Sequence, residues 1–281
     1  MSDMLQKYDK IRSSLLLAVA AAGGAALSMS ASAGEAICSL ENGYSQDLAA
    51  YVSEASTCVE TADNFAADIA DGLYAEINSE RIANGLAPLA RRASLDMAAK
   101  VHALDMSERI YAAHADLEGR DHLHRIRAFD RTMLIGASGS NVTVGRAADD
   151  AAALHTKIKL DQLNQDNLLR STFTDVGLGV VEEAGQYYVV QVFAAAEGDL
   201  EQAIPVNATG AQPLIASLSD QDRQVVAWGL TDANSGEMLA RSSVPRVRFN
   251  NIRGADAAKL DILVAVRDNT YILKGPLVSG R

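Results

Sequence analysis

Apolar residues recur at helical spacing along the first half of the chain. Three sets of positions each share one helical face: Ile69, Leu73 and Ile77; Leu95, Ala99, His102 and Met106; and Ala147, Ala151, Leu154 and Ile158. Each set predicts an amphipathic helix. Gly85 is a natural stop for the first helix, and Ser94 is a natural N-cap for the second. Because His102 lies on an apolar stripe, we interpret it as a core histidine bonded to backbone.

The apolar pattern is less regular before the first of these helices and between the second and the third. Residues 34–71 are predicted to form one or two further helices that cover the main domain. Periodicity weakens over 110–137, which indicates an irregular connection with a short helix near 123–131. The Gly- and Ser-rich run 136–140 predicts a turning loop, followed by a short extended stretch at 141–145.

Period-two alternation appears later in the chain. Residues 176–181 and 187–193 predict two strands joined by a turn at 183–186, so the main domain is an α+β fold. The Pro- and Gly-containing stretch 198–213 is predicted to be a linker. Short β-prone runs then recur, at 224–230, 238–244, 246–252, 260–266 and 271–273. They predict a small all-β domain over 214–281.

Charge and the N-terminus limit where the protein acts. A formal net charge of −11 argues against nucleic-acid binding, which requires clustered Lys and Arg. Residues 1–33 have the basic, apolar and small-residue regions of a signal peptide, with cleavage predicted before Gly34. The alternative is an uncleaved membrane anchor. After cleavage we expect no stable membrane span, and a secreted or periplasmic protein.

Two cysteines follow this segment. In an oxidising compartment Cys38 and Cys58 are expected to form a disulfide that staples the N-terminal helical segment. A reactive thiol or metal-binding pair is the alternative, but no His or Cys stands nearby in sequence.

Several short motifs over residues 72–197 occur together in a specific order. They are Asn78-Ser-Glu-Arg81, Gly85-Leu86, Pro88-Leu89, His102-Ala103, Asp105-Met106, His114, Asn167-Leu-Leu169, Thr174-Asp-Val-Gly-Leu-Gly179 and Gln191-Val-Phe-Ala194. This stretch resembles the CAP superfamily of cysteine-rich secretory proteins, antigen 5 and pathogenesis-related proteins, in its bacterial form. The resemblance implies a three-layered α-β-α sandwich with a polar cleft.

The resemblance also implies a cleft in which two histidines and two acidic residues hold a divalent metal. His114 matches the first histidine, but Ser140 stands at the position of an acidic ligand and Asn164 lies where bacterial relatives carry a histidine. Tyr188 falls near the last-strand histidine of eukaryotic relatives. The predicted cleft therefore consists of His114, Ser140, Asn141, Asn164, Tyr188 and Gln191. One histidine with a serine and an amide is a poor ligand set, so we expect no metal cofactor.

Three functional hypotheses follow. The favoured one is a non-enzymatic exported protein that binds an apolar, cell-envelope or protein ligand and uses the β-rich tail as a second contact surface. The alternative is an extracytoplasmic hydrolase with His114 as general base and Ser140, Asn164 and Gln191 positioning the substrate. No nucleophile-elbow sequence surrounds Ser140, which weighs against this alternative. A purely structural domain, the third hypothesis, requires no cleft.

Overall fold

The computed structural model describes residue 38, residues 40–252 and residues 254–280. The predicted signal peptide, residues 1–33, lies outside these residues. None of the described helices is long and apolar enough to cross a membrane. Cys38 and Cys58 form the expected disulfide, which ties the start of the described chain to the first helix.

The described residues form six α-helices: α1 Leu48–Thr61, α2 Ala67–Ala83, α3 Ala93–Arg109, α4 His122–Phe129, α5 Ala151–Ile158 and α6 Gln162–Leu168. Aspartates cap four of them by accepting a backbone N–H: Asp47, Asp121, Asp150 and Asp161. The predicted N-cap at Ser94 is wrong, because α3 begins one residue earlier and the Ser94 hydroxyl donates to Asp130 instead. Helix α6 has no counterpart in the sequence prediction, since only seven residues form it.

Eleven strands follow the helices or lie between them in the described chain. They are β1 Ala90–Arg91, β2 Met133–Arg146, β3 Asp175–Glu183, β4 Gln186–Leu200, β5 Ala211–Pro213, β6 Ala216–Leu218, β7 Arg223–Asp232, β8 Met238–Ser242, β9 Arg246–Arg248, β10 Ala258–Val266 and β11 Asn269–Val278. The main sheet has the order β1-β3-β4-β2-β11-β10-β7-β8, and β6 pairs with β4. Strands β5 and β9 form a separate two-stranded sheet.

The Gly- and Ser-rich run 136–140 does not form the predicted turn. It lies within β2, which pairs with β4 along most of its length. Its glycines do not reverse the chain; they leave space for neighbouring side chains that pack against the strand. A Cβ at Gly139 would lie 2.6 Å from Asn167 Oδ1, and a Cβ at Gly136 would overlap the Glu197 side chain. Small residues that predict a loop therefore occupy a central strand because neighbouring side chains need the space.

Helices cover both faces of β2, β3 and β4, which gives the α-β-α sandwich that the resemblance implies. Helices α1, α3 and α4 enclose one apolar core, and α2, α5 and α6 enclose another on the opposite face. Helix α3 lies very close to β3, since a Cβ at Gly179 would come within 2.5 Å of the Ala99 carbonyl group. The fold-class prediction is confirmed for this part of the chain.

The C-terminal region is rich in β-strands, as predicted, and its strands extend the main sheet through a contact between β11 and β2. Two arginines from the end of α4 and the residues after it reinforce this contact. Arg127 donates to the carbonyls of Gly275 and Leu260, and Arg131 donates to those of Ile204 and Leu277. These bonds connect the sandwich with the third apolar core, which lies between the C-terminal strands.

Candidate functional site

His114 and Ser140 form the centre of the predicted cleft. His114 Nδ1 lies 3.1 Å from Ser140 Oγ, within hydrogen-bond distance. His114 is exposed in the irregular segment after α3, whereas Ser140 is 4% exposed in β2. The structure therefore brings together a solvent-facing imidazole and a buried hydroxyl.

A second pair of the same kind lies beside the first. His122 Nε2 is 3.1 Å from the hydroxyl of Ser138, which precedes Ser140 by two residues on β2. Because successive side chains of a strand alternate between faces, Ser138 and Ser140 point to the same side of the sheet. We call His114, His122, Ser138 and Ser140 the open face. His122 begins α4 and contacts the strand through this hydroxyl.

Buried Arg125 lies behind the open face. Its guanidinium donates to the carbonyls of His114 and Arg120, and within the described chain no carboxylate lies at ion-pair distance from it. The bond to the His114 carbonyl fixes the backbone that presents this imidazole. Its charge also acts on nearby histidines: burial first, and then Arg125, lowers the pKa of His102 to about 2.

The neighbouring histidines are neutral at physiological pH. Burial and then Arg120 lower the pKa of His124 to about 4, and burial is also the main cause of the lowered pKa of His122. His102 is buried, and its Nε2 lies 2.7 Å from the Ala113 carbonyl, so this nitrogen carries the proton. The interpretation of His102 as a core histidine bonded to backbone is thus confirmed.

The predicted amide residues lie on the other side of the sheet. Asn141 Nδ2 donates to Gln191 Oε1 and to the Asn164 carbonyl, at 3.0 and 3.1 Å. Asn167 donates to Asn141 Oδ1 at 3.0 Å. Gln191 is fully buried on β4, and its Nε2 finds no acceptor among the described residues. We call Asn141, Asn164, Asn167 and Gln191 the closed face.

The six predicted cleft residues therefore do not form one site. Strand alternation separates Ser140 from Asn141, and the sheet lies between His114 and the pair Asn164 and Gln191. Tyr188 shares the open side of the sheet but packs into the apolar core, four residues along β4 from Val192, the residue opposite Ser140. The substrate-positioning role suggested for Asn164 and Gln191 beside His114 does not fit this geometry.

The residues around His114 do not match a metal site. Among the described residues, one group of three His, Cys or carboxylate side chains has ligand atoms within 4.8 Å of one another: Asp105, Asp116 and Glu118. His114 does not belong to it. Arg109 bonds Asp105 and Glu118, and Arg120 bonds Asp116 and Glu118, so these carboxylates are already neutralised by arginines. The donor set thus does not fit the divalent metal that the family resemblance implies.

Two clefts lie near the open side of the sandwich. An apolar cleft of about 400 Å³ opens between α1, α3, α4 and residues 203–206. Its lining consists of Val52, Ser56, Glu60, Met97, Ala128, Phe129, Arg131, Ala203, Ile204, Pro205 and Val206. A more polar cleft of about 380 Å³ lies between α4 and the C-terminal strands, near Tyr51, Arg120 and Lys259.

Sequence reasoning missed Ser138 and Asn167 as parts of these two faces, and it missed Arg125 behind the open face. Asn167 lies in one of the family motifs, and its amide donates to both Asn141 and the Ser140 carbonyl. The i, i+2 spacing of Ser138 and Ser140 would have signalled a shared strand face if the run had been assigned to a strand. For Arg125 the sequence carries no signal, since its burial depends on tertiary contacts.

Comparison with known proteins supports the resemblance over the sandwich. A family model described as "CAP: Cysteine-rich secretory protein family" matches residues 74–193. Residues 74–193 thus match a CAP domain. The matched range includes both the open and the closed face, and it ends within β4, before the C-terminal strands. No curated protein sequence matches the chain significantly.

Solved structures similar to this chain include three bacterial proteins. An outer surface protein from Borrelia burgdorferi is 17% identical with a TM-score of 0.41, over 46% of this chain and 92% of its own. An extracellular protein containing an SCP domain from Bacillus anthracis is 20% identical with a TM-score of 0.38, over 50% of this chain and 43% of its own. A cysteine-rich secretory protein from Staphylococcus aureus is 20% identical with a TM-score of 0.36, over 48% of this chain and 40% of its own.

Proposed function

We propose that this is an exported, non-enzymatic CAP-domain protein that binds an apolar ligand of the cell envelope. The observation that carries the non-enzymatic part is the partner of His114. Its ring contacts a serine hydroxyl, and neither a carboxylate nor a second histidine within the described chain completes a metal site around it. A His–Ser pair supports hydrogen bonding to a ligand more readily than Lewis-acid chemistry.

The location follows from two features of the chain. The first 33 residues have the pattern of an export signal, and the Cys38–Cys58 disulfide is of a kind that persists in oxidising compartments. Both features support secretion or residence in the periplasm.

The apolar cleft is the proposed ligand site. Its volume lies within the usual range for small-molecule pockets, and most of its lining is aliphatic or aromatic. Arg131 lines it, but the guanidinium already donates to backbone carbonyls, including those of Ile204 and Leu277. Glu60 is exposed at the rim, where its carboxylate disfavours an anionic head group. The cleft therefore suits an uncharged apolar chain.

A fluorescence titration with the uncharged probe N-phenyl-1-naphthylamine tests this site. Ser56→Phe places a large side chain in the cleft, and we expect it to weaken probe binding about tenfold or more. Ser53→Phe, one turn earlier on α1 and exposed, is the matched control and should bind as the wild type does. Equal binding by all three proteins would exclude this cleft as the ligand site.

A hydrolase is the second candidate, and one observation favours it: an exposed histidine lies 3.1 Å from a serine hydroxyl. Against it, Ser140 is nearly buried in the middle of a strand, and within the described chain no carboxylate bonds His114 to orient it. Chromogenic ester and peptide substrates discriminate between the two functions. Hydrolysis by the wild type that both Ser140→Ala and His114→Ala abolish would replace our proposal with this one.

A further inference from the structure

Three arginines surround one pocket in the C-terminal region. The pocket, of about 320 Å³, is lined by Trp228, Ala240, Arg241, Ser242, Val244, Arg246 and Arg248. Arg241 lies on β8, the last strand of the main sheet, and Arg246 and Arg248 lie on β9 with buried Val247 between them. Strand alternation places Arg246 and Arg248 on the same side of β9. We call this site the arginine pocket.

Most described arginines have a side-chain partner, and these three do not. Every described arginine from Arg81 to Arg223 donates at least one side-chain hydrogen bond. Arg241, Arg246 and Arg248 are exposed, and with the other described residues their guanidinium groups form neither a hydrogen bond nor an ion pair. Three unpaired cations at one pocket leave many N–H donors available to a ligand.

The base of the pocket is rigid. Trp228 is 5% exposed, and its Nε1 donates to the Val244 carbonyl at 2.7 Å. Trp228 lies opposite Ser242 in the β7–β8 pairing, so the indole connects the strand that bears Arg241 with the segment that leads to Arg246. A ligand held by the arginines would therefore rest on a fixed apolar base.

The charge of the surrounding chain is distributed unevenly. Residues 214–281 contain nine Lys and Arg against seven Asp and Glu, whereas residues 34–213 contain thirteen against twenty-seven. The arginine pocket thus lies in the one region of the predicted mature chain with a positive balance. The mature chain as a whole remains acidic, so an anion is repelled least at this region, and short-range contacts with the arginines must supply the binding.

We propose that the arginine pocket binds a ligand with closely spaced phosphate groups. Guanidinium groups bind phosphate oxygens in a bidentate manner, and three of them around one pocket match more than one phosphate. The site is separate from the His114 face and from the apolar cleft, so it does not depend on the function proposed for the CAP domain. The phosphates come either from a soluble phosphate polymer or from lipid head groups at a membrane surface, and both present the same chemistry to the arginines.

Trp228 provides a direct assay, because it is the only tryptophan of the chain. Its fluorescence is followed while the full mature protein is titrated with inorganic tripolyphosphate. We expect saturable binding that weakens several-fold between about 50 and 200 mM NaCl. Arg246→Gln and Arg248→Gln should each weaken it about tenfold, the loss typical of one charge-assisted hydrogen bond. The matched control, Arg267→Gln, changes an exposed arginine in the β10–β11 turn, outside the pocket, and should leave binding unchanged.

Sedimentation with vesicles separates the two sources. If phosphatidylglycerol vesicles bind the wild type but not Arg246→Gln, and tripolyphosphate competes, the pocket binds lipid head groups. Binding of tripolyphosphate without vesicle binding supports a soluble polymer. The absence of saturable binding of either probe would overturn the proposal. So would a loss of tripolyphosphate affinity in Arg267→Gln equal to the loss in Arg246→Gln. Because the changed side chains are exposed, thermal unfolding of the variants should match the wild type, which separates loss of binding from loss of fold.

Discussion

The two faces of the CAP-domain sheet use similar polar residues in opposite ways. On the closed face, the buried Asn141 amide donates to the buried Gln191 and accepts from the half-buried Asn167. On the open face, His114 reaches solvent and its ring contacts the Ser140 hydroxyl. Ser140 and Asn141 are neighbours in sequence and both are buried, yet the first contacts the exposed His114 and the second bonds the buried Gln191.

This difference predicts which changes affect folding and which affect binding. A buried polar group that loses its partner costs free energy because it cannot bond water instead, whereas an exposed group replaces its lost partner with water. Changes on the closed side should therefore destabilise the protein, and changes on the open face should leave it folded. Four predictions test this contrast.

The largest effect is expected for Arg81, which is buried on the closed side. Its guanidinium donates to the carbonyls of Ala87, Leu168, Arg170 and Phe173. Arg81→Met leaves these buried acceptors without their donor, and we expect a loss of about 4 kcal/mol in the free energy of unfolding. Urea denaturation measures it. Arg146→Met, at an exposed ion pair, is the control and should change stability by less than about 1 kcal/mol.

The next effect concerns pH and the histidines behind the open face. In the unfolded chain His124 titrates near 6.5, but in the folded protein its pKa is about 4, so the unfolded state binds the proton more readily. The contribution of His124 to the free energy of unfolding is therefore fully present above pH 6.5. It decreases as the pH falls towards 4, by at most about 3 kcal/mol. Thermal unfolding between these pH values checks it. His124→Phe should make the pH dependence less steep, with the remainder due to His102 and His122, and an unchanged slope would be evidence against the neutral state of His124.

Asn141→Ala is expected to have a moderate effect. It removes two donated hydrogen bonds and the acceptor of Asn167, and it leaves Gln191 with less of its buried polar network. We expect a loss of about 2 kcal/mol in the free energy of unfolding, measured by urea denaturation. Denaturation that shows no loss would mean that water enters the closed face and replaces the amide.

Ser140→Ala, at the adjacent position, should have the smallest effect. His114 is exposed and can bond water in place of the hydroxyl, so we expect a change within about 1 kcal/mol. The comparison with Asn141→Ala uses one strand, neighbouring positions and the same replacement residue. Equal losses at both positions would remove the distinction between the two faces.

The sequence predicted those parts of the molecule that depend on local pattern. The helical stripes through Leu73 and Met106, the β-hairpin after Asp175 and the disulfide are present as expected. The loop expected at 136–140 was wrong because the glycines there accommodate Asn167 and Glu197, which lie far away in sequence. Tertiary packing decided that assignment, and local propensity did not.

The candidate site was less predictable than the fold. His114 and Ser140 do lie together, but Asn141, Asn164 and Gln191 lie on the opposite side of the sheet. The side to which a strand residue points depends on the strand register. That register could not be predicted because residues 136–140 were assigned to a loop. The family resemblance indicated which residues occupy motif positions, but it did not indicate on which face of the sheet each of them lies. Arg125 and the arginine pocket carry no local motif and became visible only from three-dimensional contacts.

Native mass spectrometry combined with metal analysis tests the central claim, that the His114 face of this CAP domain works without a metal. The protein should be purified from its own compartment without chelators. We predict the mass of the polypeptide with one disulfide and no stoichiometric metal, for the wild type and for His114→Ala alike. One equivalent of zinc or another divalent metal in the wild type, lost in His114→Ala, would contradict the account.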